Sequence, residues 1–344
     1  MAFKQVITES ELGDLLRPKL RLFLSVDVVG STAFKHQSQY TDSQGWLDFF
    51  VSFYTSFPDI LAELTADYVK EKNLNSFEVP TFWKALGDEL VFAVVLKRRV
   101  DAGHYLCVFR QALRRVVRHY TMGSQPLPIN FKGAAWLAGF PVGNAAIPIL
   151  DGEQKSDYDY VGPLIDVGFR LGKYASPRKL VVSVDLAALL LKEGSNLSLC
   201  FTEKQSLKGV LKDREYPIIW VDCIDDDDQN NEPAARRCRA EDDLLHSKQY
   251  QPNQLLKYCL AYIEEIGKPL RVPFIENDEQ APLVRSTAFE DEVAEVEQRL
   301  RKIFQVGPDV VTSSGTNSET LPSLEKWKPP TSKKKRLKVK VKKQ

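Results

Sequence analysis

Short apolar runs alternate along the chain with segments whose apolar residues recur every three or four positions. Runs bounded by turn residues predict strands, and the helical spacing predicts amphipathic helices. The predicted strands span residues 21–29, 82–86, 89–96, 128–138, 179–184 and 215–221. The predicted helices span residues 45–70, 101–120, 163–174 and 185–192. Pro58 lies inside the first of these helices and predicts a kink or a break into two.

This alternation predicts an α+β domain over residues 21–224, with helices packed on a mainly antiparallel sheet. Residues 1–20 form an N-terminal extension. The acidic run at 225–235 predicts a solvated linker, and helical spacing at 253–266 and 289–304 predicts a helical segment over 236–305. The remainder, 306–344, is rich in Ser, Thr, Pro and Lys and predicts a disordered basic tail.

The net charge of +1 conceals a basic end on a mildly acidic chain. Residues 333–344 contain eight Lys or Arg and no acid, so the other residues carry a formal charge of −7. A nucleic-acid protein is therefore not expected, since such proteins need a broad basic surface. We interpret the tail as solvated, with contact to nucleic acid or anionic lipid as alternatives.

Cysteine usage and hydropathy predict a cytoplasmic location. The five cysteines are widely spaced and form no CxxC motif, so neither a disulfide framework nor a zinc site is expected. The N-terminal residues lack the apolar core of a secretory signal. No apolar stretch reaches the roughly 18 residues that cross a bilayer, so membrane insertion is not expected.

A single carboxylate interrupts the first apolar strand. Asp27 is costly to bury unless it is paired or binds a metal, although it can also simply cap a turn. The residues that follow, Gly30, Ser31 and Thr32, offer backbone N–H groups that can bind phosphate at a strand-to-helix turn.

A second carboxylate, Asp88, lies at the tip of the predicted hairpin, in the fragment Lys84–Asp88. If the hairpin flanks the Asp27 strand, two hard oxygen donors converge, as in nucleotide sites where phosphates complete the coordination of divalent cations. The alternative is an ordinary turn aspartate.

A third fragment, Asp159–Leu171, begins a helix near Gly162. Asp166 and Arg170 lie four residues apart on one face, where they can form a helical ion pair. Alternatively, the Arg170 guanidinium can contact a phosphate.

In this order, the fragments Phe23–Thr32, Lys84–Asp88 and Asp159–Leu171 resemble the catalytic domain of class III nucleotidyl cyclases, over residues 22–221. The resemblance implies a ferredoxin-like palm domain acting as a homodimer with composite active sites. It implies two Mn²⁺ or Mg²⁺ per site, held by Asp27, Asp88 and the Val28 carbonyl. It further implies that Arg170 of the partner chain contacts the α-phosphate, that Lys84 and Asp159 read the base, and that Lys208 or Lys212 binds phosphate.

One position departs from the family pattern, because Asp166 replaces the asparagine that orients the ribose. An ionised acid accepts but cannot donate hydrogen bonds. With Asp166 at this position, the sequence resembles the bacterial Pycsar pyrimidine cyclases more closely than ordinary adenylate cyclases. The cyclic nucleotides of the Pycsar enzymes activate a separate effector in anti-phage defence. The resemblance favours UTP as substrate, with CTP or ATP as alternatives. A catalytically silent nucleotide-binding module is a further alternative.

A pyrimidine is smaller than a purine, so bulky side chains are expected to narrow the base pocket. The candidates are Tyr54, Trp83 and Phe169, which can equally be core aromatics.

Overall fold

The computed structural model describes residues 6–41, 45–75, 77–122, 127, 129–151, 154–223, 240, 251–275 and 288–307. The predicted acidic linker at 225–235 and the tail beyond residue 307 lie outside these ranges. Within them, no helix is both long enough and apolar enough to span a membrane.

Eleven strands and eight α-helices make up the described part of the chain. The strands are β1 (Val6–Thr8), β2 (Lys19–Val29), β3 (Thr81–Leu86), β4 (Glu89–Val95), β5 (Asn130–Phe140), β6 (Ala145–Asp151), β7 (Gln154–Val161), β8 (Lys179–Val182), β9 (Leu199–Ser206), β10 (Glu215–Asp222) and β11 (Gln305–Gly307). The helices are α1 (Glu9–Leu16), α2 (Ser31–Thr41), α3 (Gly45–Lys72), α4 (Asp101–Thr121), α5 (Pro163–Leu171), α6 (Val184–Lys192), α7 (Pro252–Ile266) and α8 (Ala288–Ile303). Short 3₁₀ turns cover Gly172–Tyr174 and Leu211–Asp213.

The seven-stranded central sheet has the order β3-β4-β2-β5-β8-β10-β9. Its neighbouring strands are antiparallel except for β5 and β8, so the prediction of a mainly antiparallel sheet is confirmed. The stretch from β2 to β5, through α3, β3, β4 and α4, has the order β3-β4-β2-β5, which is that of the ferredoxin-like split βαβ arrangement.

Strand β2 is buried in the middle of this sheet and presents different side chains to each face. Leu22, Leu24 and Val26 face the side covered by α3 and α4, where Phe57 contacts both Phe92 and Phe109. Helix α3 continues through Pro58 without dividing into two helices. The main apolar core lies between these two helices and the sheet.

The opposite face carries an aromatic cluster, which we define as Phe23, Trp83, Trp136, Phe140, Tyr160 and Phe169. Helix α5 packs over it, and Gly168 allows this close approach. A Cβ atom at residue 168 would lie 2.1 Å from the Trp136 ring. Helix α5 is therefore held tightly against β5 at Trp136, which pairs with Phe23 in the middle of β2.

The first and last strands that the structure describes pair with each other beside the β6–β7 hairpin. Strand β1 pairs in parallel with β11, and a small apolar cluster joins Ile7, Leu12 and Leu15 to Phe304. Residues 306 and 307, predicted as part of the tail, therefore belong to a strand. Helix α7 packs on α6 and joins the main core through its buried face.

Candidate functional site

Asp27 lies near the carboxyl end of β2, between Glu89 on β4 and Lys132 on β5. Its Oδ2 atom is 3.1 Å from Nζ of Lys132, and the two side chains are 28% and 24% exposed. Burial raises the pKa of Asp27, the ion pair with Lys132 opposes this, and the nearby Asp88 carboxylate raises the pKa further. Asp88 is also the residue before Glu89, the direct cross-strand partner of Asp27.

Two side-chain contacts fix the turn that carries Asp88. Gly87 has a φ of +69°, which suits a glycine at the tip of the β3–β4 hairpin. The Ser31 hydroxyl at the start of α2 donates to the Asp88 carboxylate, and the Tyr54 hydroxyl on α3 donates to the Gly87 carbonyl. Both contacts direct the hairpin tip towards the end of β2.

Glu89 is a third acid at this end of the sheet. The Ser25 hydroxyl donates to its carboxylate. Burial raises the pKa of Glu89, and the charges of Asp27 and Asp88 raise it further. Ser25, Glu89 and Lys132 were not predicted as site residues. Glu89 and Lys132 face Asp27, and Ser25 contacts Glu89, only through the register of strands distant in sequence, so the pattern of one strand carries no signal for them.

A small hollow of about 200 Å³ opens beside Asp27. Glu89 and Lys132 line it from the sheet, and Phe169 and Lys173 line it from the end of α5. Helix α5 and the carboxylates therefore share one region of the surface within a single chain.

The donors at this end of β2 are suited to a hard divalent cation. The predicted ligands, Asp27, Asp88 and the Val28 carbonyl, are all oxygen donors, the type that Mg²⁺ and Mn²⁺ prefer. In the part of the chain that the structure covers, no group of three or more His, Cys, Asp or Glu side chains is arranged to hold a metal. These residues therefore fit a cation whose remaining ligands come from water or substrate phosphates. In the chain without a cation, the ammonium group of Lys132 supplies the positive charge beside Asp27.

The strand-to-helix turn after β2 has the predicted form. Gly30 has a φ of +75°, and its carbonyl accepts a 3.0 Å hydrogen bond from the Phe34 N–H at the start of α2. Ser31 is buried with its hydroxyl on Asp88, whereas Thr32 is exposed. The backbone N–H groups of this turn lie at the N-terminus of α2, where anions bind favourably.

Lys84 and Asp159 form an ion pair within one chain, although they lie on different strands. Strand β3 has a β-bulge between Phe82 and Lys84, where Trp83 is an extra residue without a partner on β4. The Lys84 ammonium lies 4.3 Å from the Trp83 ring centroid. The two predicted base-reading positions therefore meet at the edge of the aromatic cluster.

Arg170 and Asp166 are both exposed on α5, and neither has an ion pair among the described residues. The helical ion pair between them, which was the structural alternative, is therefore not formed. Gly162 precedes the helix with a φ of +147°, and Pro163 begins it. The guanidinium of Arg170 is available to a ligand or to another chain.

Lys208 and Lys212 lie on the connection between β9 and β10, and both are exposed. Their edge of the sheet is three to four strands from β2, which at a strand spacing of about 4.8 Å is roughly 15–20 Å. The structure therefore does not bring either lysine to Asp27 of the same chain. Phosphate binding by one of them stays a prediction, and the choice between the two stays open.

The three aromatic candidates occupy different places. Trp83 and Phe169 are half-buried in the aromatic cluster, with ring centroids 6.0 Å apart, and Phe169 also reaches the hollow beside Asp27. Tyr54 lies instead at the hairpin tip, on the carboxylate side. Only the first two are thus placed near Lys84 and Asp159.

No protein-family model and no curated protein matches the chain. Solved structures similar to it include the adenylyl cyclase CyaB from P. aeruginosa, at 13% identity and a TM-score of 0.43, covering 61% of this chain and 95% of that one. The guanylyl cyclase Cya2 is 16% identical with a TM-score of 0.39, covering 60% and 91%. A bacterial light-regulated adenylyl cyclase is 9% identical with a TM-score of 0.40, covering 65% and 98%. Likeness at this level gives no argument for an activity, so function is argued from the site.

Proposed function

We propose that this protein is a nucleotidyl cyclase, converting a nucleoside triphosphate to its 3′,5′-cyclic monophosphate and pyrophosphate. The proposal is supported by two observations: Asp27 pairs across the sheet with Glu89, the residue after Asp88, and Asp88 contacts Ser31 in the turn that follows β2. In such an arrangement the two carboxylates supply metal ligands. The helix N-terminus supplies backbone N–H groups that bind phosphate.

Asp27, Asp88 and the Val28 carbonyl would hold Mn²⁺ or Mg²⁺, two ions per site in the proposal. Bound divalent cations supply charge neutralisation at the triphosphate and acidify the attacking 3′-hydroxyl. The contacts of Ser31 and Tyr54 keep the hairpin tip in place, so that Asp88 stays directed towards the end of β2. The N–H groups following Gly30 would bind phosphate oxygens.

A homodimer with composite sites accounts for the exposure of Arg170. A guanidinium that has no ion pair with any residue that the structure describes is available to neutralise the α-phosphate bound to a second copy. Lys208 or Lys212 would likewise reach phosphates across the interface, since neither lies beside Asp27 of its own chain.

For the base we propose a pyrimidine, with UTP favoured over CTP and ATP. The Lys84–Asp159 pair offers both a donor and an acceptor, and Trp83 and Phe169 crowd the space beside it. Asp166, an acceptor, would face the ribose. A role for the cyclic nucleotide in anti-phage defence, through a separate effector, belongs to the same proposal.

Incubation with each of the four ribonucleoside triphosphates and Mn²⁺, followed by mass spectrometry, tests the proposal. We expect pyrophosphate and a cyclic product, mainly from UTP. Asp27→Asn and Asp88→Asn should each lower turnover on the order of a hundredfold or more, because metal-based charge stabilisation contributes several kcal/mol. Asp67→Asn, on the exposed part of α3, is the matched control and should retain full activity.

A silent nucleotide-binding module is the second candidate, and the Asp27–Lys132 ion pair favours it because Lys132 already neutralises one ligand carboxylate. Binding of nucleotide without any cyclic product would support this candidate. A cyclic product that persists at the normal rate in Asp88→Asn would exclude the metal assignment.

A further inference from the structure

A cleft of about 800 Å³ lies at the opposite end of β2 from Asp27. We call it the basal cleft. Its apolar wall comes from the sheet ends, from α5 and from the C-terminal stretch at 267–275 and α8: Leu20, Phe140, Leu164, Leu270, Ile275 and Phe289. It therefore lies between the palm domain and the C-terminal segment, and clefts between such units are common ligand sites.

The basal cleft is separate from the proposed nucleotide site. Leu20 and Asp27 lie seven residues apart on the same strand, which at about 3.3 Å per residue is roughly 23 Å. Neither proposed metal carboxylate lines the cleft, and neither do Lys84 and Arg170. Its volume lies within the range of about 300–1,000 Å³ that is usual for small-molecule pockets.

Five basic residues line the basal cleft: Arg17, Lys19, Lys97, Lys268 and Arg271. Arg17 and Lys97 pair with acids just outside the lining, Asp14 and Glu78, so the uncompensated charge is to be sought at Lys268 and Arg271. Lys268 and Arg271 share a single acid, Glu292, with Arg271 Nη2 at 2.8 Å from its Oε2 atom. Two cations on one carboxylate leave a local excess of positive charge.

Among the described residues that line the basal cleft, Asp185 alone is acidic. It is buried at the start of α6, where its Oδ1 atom accepts a 3.0 Å hydrogen bond from the Leu186 N–H. Burial disfavours the charged form of Asp185 and raises its pKa, which the Ser183 side chain and the Leu186 N–H only partly oppose. Asp185 therefore does not offset the excess positive charge of Lys268 and Arg271, which favours an anion at their end of the cleft.

We infer that the basal cleft binds an amphipathic anion, a molecule with an apolar body and one negatively charged head. The apolar body would pack between Leu20, Phe140 and Leu270, where burial removes hydrocarbon from water. The head would contact Lys268 and Arg271, which make charge-assisted hydrogen bonds to anions.

Gly139 offers a direct way to close the basal cleft. It lies on β5 in the cleft wall, and a Cβ atom at this position would meet nothing within 4 Å. The Gly139→Phe variant would thus place a ring in open space, and β5 retains its backbone pairing with β2. Gly13→Phe is the matched control, since Gly13 is an exposed α1 residue with equally open surroundings outside the cleft.

Isothermal titration calorimetry on the full chain tests the inference with dodecanoate, kept below its micelle concentration. Dodecan-1-ol and dodecyltrimethylammonium are the neutral and cationic counterparts. We expect one dodecanoate per chain, bound about tenfold or more tightly than the alcohol, since charge-assisted hydrogen bonds are lost with the carboxylate. The cationic probe should bind more weakly still.

The variants should separate the apolar and charged parts of the site. Gly139→Phe should weaken dodecanoate binding about tenfold or more, whereas Gly13→Phe should leave it unchanged. The double variant Lys268→Gln, Arg271→Gln keeps the cleft open and should reduce dodecanoate to the affinity of the alcohol. Thermal unfolding of each variant checks that the fold is intact.

Three results would overturn the inference. They are no binding of dodecanoate, equal binding of dodecanoate and dodecan-1-ol, or equal binding by Gly139→Phe and Gly13→Phe. None of these measurements requires turnover, so they are independent of the proposed cyclase activity.

Discussion

Replacing Lys132 with methionine removes the positive charge beside Asp27 and keeps a side chain of similar length. Nζ of Lys132 lies 3.1 Å from Oδ2 of Asp27, and both side chains are about a quarter exposed. Without Lys132, Asp27 retains two charged neighbours that are both negative, Asp88 and Glu89. The metal-free chain should therefore lose stability.

The burial of the Lys132–Asp27 ion pair sets bounds on the free energy of unfolding that Lys132→Met loses. An exposed ion pair contributes about 0.2–1 kcal/mol, and removal of one partner from a fully buried pair costs about 3–5 kcal/mol. The intermediate exposure of Lys132 and Asp27 places the cost at about 1–3 kcal/mol at pH 8. Burial already raises the pKa of both Asp27 and Glu89, and loss of Lys132 should raise both further.

The sign of the pH dependence follows from these raised pKa values. A carboxyl whose folded pKa is raised gives stability that is present at low pH and lost as pH rises through that pKa. The deficit of Lys132→Met relative to the unsubstituted chain should therefore be larger at pH 8 than at pH 5. Urea unfolding at both pH values, in EDTA and in Mn²⁺, measures it.

Mn²⁺ should restore the free energy of unfolding that Lys132→Met loses, because a bound cation replaces the missing positive charge. Saturation to 100 times the dissociation constant adds about 2.7 kcal/mol to the free energy of unfolding. The variant should also bind Mn²⁺ more tightly than the unsubstituted chain, in which the cation must compete with Lys132. Lys204→Met is the control, because Lys204 pairs with Glu215 on the exposed surface. Equal stability of Lys132→Met and the unsubstituted chain in EDTA at pH 8, or no effect of Mn²⁺ on the variant, would refute the reasoning.

Three further predictions concern other parts of the molecule. Burial raises the pKa of Asp185 from 3.8 to about 6, so the free energy of unfolding should fall by about 3 kcal/mol as pH rises through this interval. Asp185→Asn should flatten that slope in urea unfolding and be more stable than the unsubstituted chain at pH 7.5. Gly168→Ala should lower the free energy of unfolding by about 1–3 kcal/mol, because the new methyl group overlaps the Trp136 ring, and a melting temperature that does not change would contradict this. Mixed Asp27→Asn and Arg170→Ala chains should recover about a quarter of normal turnover, since half of the dimers would be mixed and each would have one intact composite site; no recovery in verified mixed dimers would exclude composite sites.

Six of the seven strands of the central sheet were predictable because they are largely apolar runs bounded by turn residues, whereas β9, which has no buried residue, was missed. Strand β2 and the β3–β4 hairpin lie within two residues of their predicted limits. The hairpin of β6 and β7 was missed, since Ile147 and Ile149 are exposed and β7 is largely polar. Strands β1 and β11 were also missed, because each is three residues long and forms only by pairing with the other.

The candidate site likewise contains residues that the sequence predicted and residues that it did not. Asp27 was predicted because a carboxylate is unusual in an apolar strand, and Asp88 because it lies at the tip of a predicted hairpin in a fragment that resembles a cyclase motif. Lys132 and Glu89 were not, because their importance comes from the register that places them opposite Asp27 on two different strands. Cross-strand partners depend on the register of strands distant in sequence, which the pattern of one strand does not specify.

The same dependence on register applies to the proposed base-reading pair. In a regular strand Trp83 and Lys84 would face opposite sides of the sheet, because side chains alternate. The bulge before Lys84 instead lets Trp83 contact Phe23 and Tyr160 while Lys84 reaches Asp159 on the same side. A change that removed the bulge would move one of the two to the α3 side. Base selection in the proposed reaction therefore depends on a backbone irregularity in an edge strand as much as on the identity of Lys84.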